Sequence, residues 1–207
     1  MGYLGYKPAD KPLTSADITD SIITSAKIAD GTIVNADINA SAAIASTKLS
    51  GVQGKFESAL LHVRDEKASG TAGGTFTSGA WQTRTLNTSL TNEISGASLS
   101  SNQITLPSGT YFIIASAPAQ VVGGHKLKLR NTTDSSDTLI GTSENTTTGD
   151  YGIVGRSYVI GRFTISAQKT FEIQHRGTTT QTTNGFGAIN SFSVVEVYAD
   201  VQIWKVA

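Results

Sequence analysis

Few side chains in this sequence are of the types that do chemistry at an active centre. There is no cysteine, and the only histidines are His62, His125 and His175. Without a thiol, neither a disulfide framework, a thiolate metal site nor a cysteine nucleophile can form. None of the histidines belongs to an HExxH pair, the spacing that puts two imidazoles on one helix face. His125 alternates in phase with Leu127 and Leu129, and His175 with Phe171 and Ile173. That phase marks core or interface histidines rather than ligands. No GxSxG elbow occurs, and GTAGGTF at 70–76 lacks the GK[ST] of a phosphate loop. It reads as a mobile hairpin or loop.

The best acidic cluster is Asp134, Asp137, Glu144 and Asp150, inside the polar stretch NTTDSSDTLIGTSENTTTGD. Glycoside hydrolysis would need two such carboxylates about 5–10 Å apart, and oxygen ligation of Ca²⁺ is the other chemistry open to them. A solvated loop is the plainer expectation. Asn131 and Asn145 each begin an Asn-x-Thr glycosylation acceptor. The residues therefore point away from an enzyme and require no cofactor. Function is expected in loop surfaces, 131–151 and 178–187, both rich in Asn, Thr and Gly. Asn145, Asp150, Tyr151 and Asn184 are the candidate receptor contacts.

Such loops need a rigid support, and the pattern after residue 70 supplies one. Apolar and polar residues alternate at 104–106, 110–115, 125–130, 159–165, 171–175 and 192–206, with polar turns between. Short strands at this spacing predict an antiparallel β-sandwich or barrel. Residues 54–67 fit either an amphipathic helix or a bend into a strand at 59–63. The last strand is expected to be covered on both faces. Val195, Val197, Ala199, Val201 and Ile203 form one apolar row, while Phe192, Tyr198 and Trp204 stand on the other. Three aromatics do not normally face solvent in a row, and a second copy of the domain is the simplest cover.

The chain balances 16 basic against 16 acidic residues. It lacks the basic excess that attracts a phosphate backbone or an anionic membrane surface, so nucleic acid is not an expected partner. No apolar run approaches the roughly 18 residues of a membrane span, and the opening MGYLGYKPADKP lacks the apolar core of a secretory signal. A soluble chain without membrane insertion is expected.

Between residues 13 and 53 the sequence repeats. Ala16-Asp17-Ile18, Ala26-Lys27-Ile28 and Ala36-Asp37-Ile38 fall ten residues apart, with Ile23 and Ile33 halfway between. Ten residues of α-helix turn through about 1000°, which forms no single apolar stripe. Asp30-Gly31 interrupts any continuous strand. Short turns capped by Ser15, Ser25 and Asn35 fit better, with β-prone pieces at 21–23 and 32–34. One chain cannot bury these isoleucines, whereas three copies side by side would place Ile18, Ile23, Ile28, Ile33 and Ile38 along a shared axis.

The texture AKIADGTIVNADI at 26–38 resembles the shafts of tailed-bacteriophage fibre proteins. The opening MGYLGYKPADKPLT is similar to the start of such proteins in phages of aquatic bacteria. ITLPSGTYFIIASA at 104–117, GRFTISAQKTFEIQH at 161–175 and VYADVQIWKV at 197–206 resemble the jelly-roll heads of the tumour-necrosis-factor and complement type. The resemblance implies an all-β homotrimer. A virion-anchoring tip at 1–12 would use Tyr3, Leu4 and Tyr6, a repeat shaft would occupy 13–53, and an antiparallel jelly-roll sandwich head would occupy 54–207. Phe192, Tyr198 and Trp204 would join the isoleucines at the trimer interface. The implied partners are further copies of the chain, other virion proteins through the N-terminus, and a host cell-surface glycan or protein. The implied setting is the virion, made in a host cytoplasm. A capsid-surface fibre or decoration protein, or a non-viral trimeric binding module, is the alternative.

Overall fold

From Thr19 to Ala42 the chain turns once every five residues. The amides of Ile22, Lys27, Thr32, Asp37 and Ala42 each donate to the carbonyl three residues back, at 2.8–3.2 Å. The computed structural model describes residues 18, 19, 21–39, 42, 59–146 and 154–206. The chain divides into two compact units, Met1–Gln53 and Gly54–Ala207. Among the described residues of the first unit, two turns are short 3-10 helices, Ser25–Lys27 and Asn35–Asp37. Ser21 and Gly31, ten residues apart, both take the left-handed conformation at φ 66° and 78°. The β-prone pieces expected at 21–23 and 32–34 do not form strands. Consecutive turns leave only one residue between them, too few for a ladder. Those single joint residues are Ile23, Ile28, Ile33 and Ile38.

The second unit is all-β. Among the described residues it has eleven strands, β1 (Leu60–Lys67), β2 (Gln82–Thr83), β3 (Thr88–Asn92), β4 (Ser98–Ser100), β5 (Gln103–Leu106), β6 (Gly109–Gln120), β7 (Gly124–Asn131), β8 (Ser136–Asn145), β9 (Val154–Ile165), β10 (Lys169–Gly177) and β11 (Glu196–Lys205). They form two antiparallel sheets, ordered β3-β1-β11-β6-β9 and β4-β5-β10-β7-β8, with β2 added on β10. The chain changes sheet at every step except β4 to β5 and β7 to β8. This winding about a sandwich is a jelly roll.

Period-two alternation builds the core. Leu61, Ile113 and Ile203 of one sheet and Leu127, Leu129 and Phe171 of the other are fully buried between the layers. Tyr111 stacks on Phe163 with ring centres 5.5 Å apart, and its hydroxyl donates to Pro107 O at 2.7 Å. Along one side β8 crosses close to β9. A Cβ on Gly141 would lie 2.5 Å from Tyr158 O, so only glycine permits that approach.

Three expectations are corrected here. Residues 131–151 are not one loop, because Ser136–Asn145 is a strand at the sheet edge. Leu60–Lys67 is a strand, which rules out the helix over that span. The segment 70–76 is not a free loop. The amides of Gly73, Gly74 and Phe76 donate to Gly187 O, Thr183 O and Gln181 O, and the Phe76 ring is fully buried.

Candidate functional site

The outer face of the five-stranded sheet is built from β1, β11, β6 and β9 in register. Leu60, Trp204, Phe112 and Arg162 form one cross-strand row. His62, Gln202, Ile114 and Ile160 form the next, and Arg64, Asp200, Ser116 and Tyr158 the third. Trp204 and Phe112 lie with ring centres 6.2 Å apart. Ile160 is 57% exposed, and Ile114 and Tyr158 are also exposed. A polar stripe crosses this apolar ground. Asp200 accepts from Arg64 Nε at 2.7 Å and from His62 Nε2 at 3.1 Å, and Arg156 Nη2 donates to Ser116 Oγ at 3.0 Å. Burial alone would raise the Asp200 pKa. The bonds from Arg64 and His62 outweigh it and hold the carboxyl below its ordinary value.

Trp204 thus stands on the outward face, as its sequence phase requires. Tyr198 does not. The pairing of β1 with β11 runs from Asp65↔Ala199 to Glu66↔Val197, leaving Tyr198 as the extra residue of a bulge. The bulge reverses the alternation, so Val197 turns outward while Tyr198 and Glu196 turn inward. Tyr198 is 3% exposed, and its hydroxyl donates to Thr71 O at 2.7 Å. The Glu196 carboxylate accepts the amides of Ser191 and Gly70, which lower its pKa. Phe192 lies ahead of β11 and is 76% exposed, and Val195, expected in the core, is exposed as well.

Inside this end of the sandwich sits a buried polar knot that the sequence did not announce. Arg84, following β2, is fully buried. Its Nη2 donates to Tyr198 O at 2.8 Å and Phe186 O at 3.0 Å, with the guanidinium 4.2 Å from the Phe186 ring centre. Burial pulls its pKa down to about 9, against the opposing pull of Asp65. His125 Nδ1 and His175 Nε2 are 3.0 Å apart. Burial, aided by the Arg84 charge, drives His175 down to about 2. Both imidazoles are therefore neutral at neutral pH, as core residues must be. The knot fastens 70–76 and 178–188 onto the sandwich. Gly187 allows this at φ 146°, where a Cβ would lie 2.1 Å from the Tyr198 ring. The only trace of Arg84 in the sequence is its phase with Leu86.

The remaining sequence candidates scatter. Asn145 ends β8 and is exposed, while Asn184 is half-buried in a turn closed by Gly187 N donating to its carbonyl. Asp150, Tyr151, Tyr3, Leu4 and Tyr6 lie outside the described residues. In the acidic stretch, Asp134 is taken by Lys169 at 2.6 Å and Asp137 by Lys128 and Arg130, both at 2.9 Å. Among the described residues no group of three or more metal-ligating side chains comes together. Ile18, Ile23, Ile28, Ile33 and Ile38 are all 40–54% exposed within one chain.

The fold and this face define an antiparallel jelly-roll domain with a partly apolar outer sheet. No family model and no curated protein matches the chain. Among solved structures it is similar to murine APRIL at pH 5.0, at 8% identity and TM-score 0.48, covering 72% of this chain and 99% of that one. It is also similar to the globular domain of zebrafish complement 1qA protein, at 15% identity and TM-score 0.46, covering 73% and 98%.

Proposed function

We propose that this chain is a self-associating, non-enzymatic binding module: a homotrimer of jelly-roll heads on a short repeat shaft. The observation that carries the reading is apolar surface left open in both units. Ile18, Ile23, Ile28, Ile33 and Ile38 of the repeat and Ile114, Tyr158 and Ile160 of the sheet are all exposed in the single chain. Covering the exposed part of five isoleucines contributes about 4–7 kcal/mol per copy. Association costs about 4–15 kcal/mol. The repeat alone is therefore marginal, and the sheet face must join it.

Within this reading the protein is a fibre-type virion protein of a tailed phage, anchored through residues 1–12, with its head turned to the host surface. The support is the likeness of the decad repeat and of the opening residues to such fibres. Light scattering on the full chain is expected to give three times 21.6 kDa. A monomer at micromolar concentration overturns the assembly. Antibody against the head is expected to label purified virions and to block their adsorption. Unlabelled virions overturn the phage assignment.

A further inference from the structure

The outer face of the six-stranded sheet is mainly charged and polar, with Ile140 exposed beside Lys128. Antiparallel register sets Arg130 opposite Glu172, Lys128 opposite Gln174, and Lys126 opposite Arg176. The first two rows are neutralised, since Lys128 and Arg130 share Asp137. The third row puts two cations side by side, which disfavours the sheet. Among the described residues neither has an ion-pair partner, and across from Lys126 on β8 stands only Ser143.

This uncompensated row opens into a cleft of about 470 Å³ lined also by Trp81, Ser143, Glu144 and Thr178. Trp81 is held in place, because the buried Lys128 ammonium lies 4.2 Å from its ring centre. The cleft therefore combines a fixed aromatic wall, two cations in search of an anion, two hydroxyls and one carboxylate acceptor. Its volume is that of a small-molecule site.

We infer that the cleft between Trp81 and Arg176 binds a saccharide that carries a carboxylate. A sugar ring offers a C–H face to the indole, its carboxylate answers Arg176 and Lys126, and its hydroxyls answer Ser143, Thr178 and Glu144. A neutral sugar would leave the cation pair unanswered, and a bare phosphate would leave Trp81 unused. The Glu144 carboxylate disfavours a densely anionic polymer such as nucleic acid. The inference rests on the reading of the head as a binding module, and repetition of the cleft in an assembly would raise weak single-site affinity.

The test is titration of the full chain with trigalacturonate, 3′-sialyllactose and a hyaluronate tetrasaccharide, with galactotriose and inorganic phosphate as controls. At least one acidic sugar is expected to bind, more weakly as salt rises. Trp81→Ala and Arg176→Gln are each expected to weaken it tenfold or more, and Lys126→Gln about threefold to tenfold. Trp81→Phe, which keeps the aromatic wall, is expected to retain most of the affinity. Binding of none of the three acidic sugars overturns the inference, as does equal binding of galactotriose. So does unchanged affinity in both Trp81→Ala and Arg176→Gln. Solution mass of the same samples separates the two proposals. A monomer that binds sugar sinks only the assembly, and a trimer that binds none sinks only the cleft.

Discussion

The head and the repeat treat their isoleucines in opposite ways. Ile113 and Ile203 are fully buried between two sheets, whereas Ile28 and Ile33 stand 40% and 53% exposed at the joints between turns. A sandwich has two layers and can close over its own apolar rows. A chain that turns every five residues has one layer and nothing to close against. The same residue type is thus a folding element in one unit and, under the proposed trimer, an association element in the other, and the two roles are separable by mutation.

The largest effect is expected inside the head. Arg84→Met leaves Asp65 with Lys67 as its remaining nearby cation and the Tyr198 and Phe186 carbonyls without their Arg84 donor, at a loss of about 3–5 kcal/mol. Urea denaturation of the head measures it. An unchanged midpoint would remove the knot from the account of head stability.

Acid should act on the same unit. His175 is held far below its ordinary pKa in the folded state, so as pH falls below about 6.5 the unfolded chain gains a proton that the folded one refuses. Stability is full above that value and falls by about 2 kcal/mol on going to pH 5. The loss should shrink in His175→Gln when each variant is referred to its own value at pH 8, and what remains is the share of His125, whose pKa burial also lowers. A pH-independent midpoint in the parent would mean the imidazole takes its proton while folded.

Smaller effects should fall on assembly alone. Ile160→Ser on the outer face is expected to weaken association by about 1–2 kcal/mol per copy, read as a higher concentration for dissociation. Ile28→Ser in the repeat should weaken it by about 1 kcal/mol per copy. Head melting should move by less than about 0.5 kcal/mol in both. If either variant destabilises the head while the mass stays constant, the contrast between folding and association residues fails at that site.

Much of the head could be read before any coordinates. β5, β6, β7, β9 and β10 each bury one face, so hydrophobic alternation marks them in the sequence. β8 is largely exposed on both faces, and its Ser, Thr, Asp and Gly residues carry no alternation, so it looks like a loop. The faces of β11 are legible from Ala199 onward and reversed before it, because a single inserted residue at Tyr198 shifts the phase. The decad of the repeat is visible as a sequence period, yet the backbone repeats at half that length. A turn closed by main-chain amides imposes no residue identity at every copy.

The sequence by itself determined where apolar side chains recur, and hence the all-β class, the histidines in core phase and a repeat that cannot hide its own isoleucines. These follow from local periodicity, which pleat and turn geometry translate directly into faces. Tertiary structure alone decided the burial of Arg84 beside His175, the inward turn of Tyr198 and the meeting of Trp81, Lys126 and Arg176 at one cleft. Each depends on strands brought together from distant parts of the chain, and such register leaves no mark on the spacing of residues along a single segment.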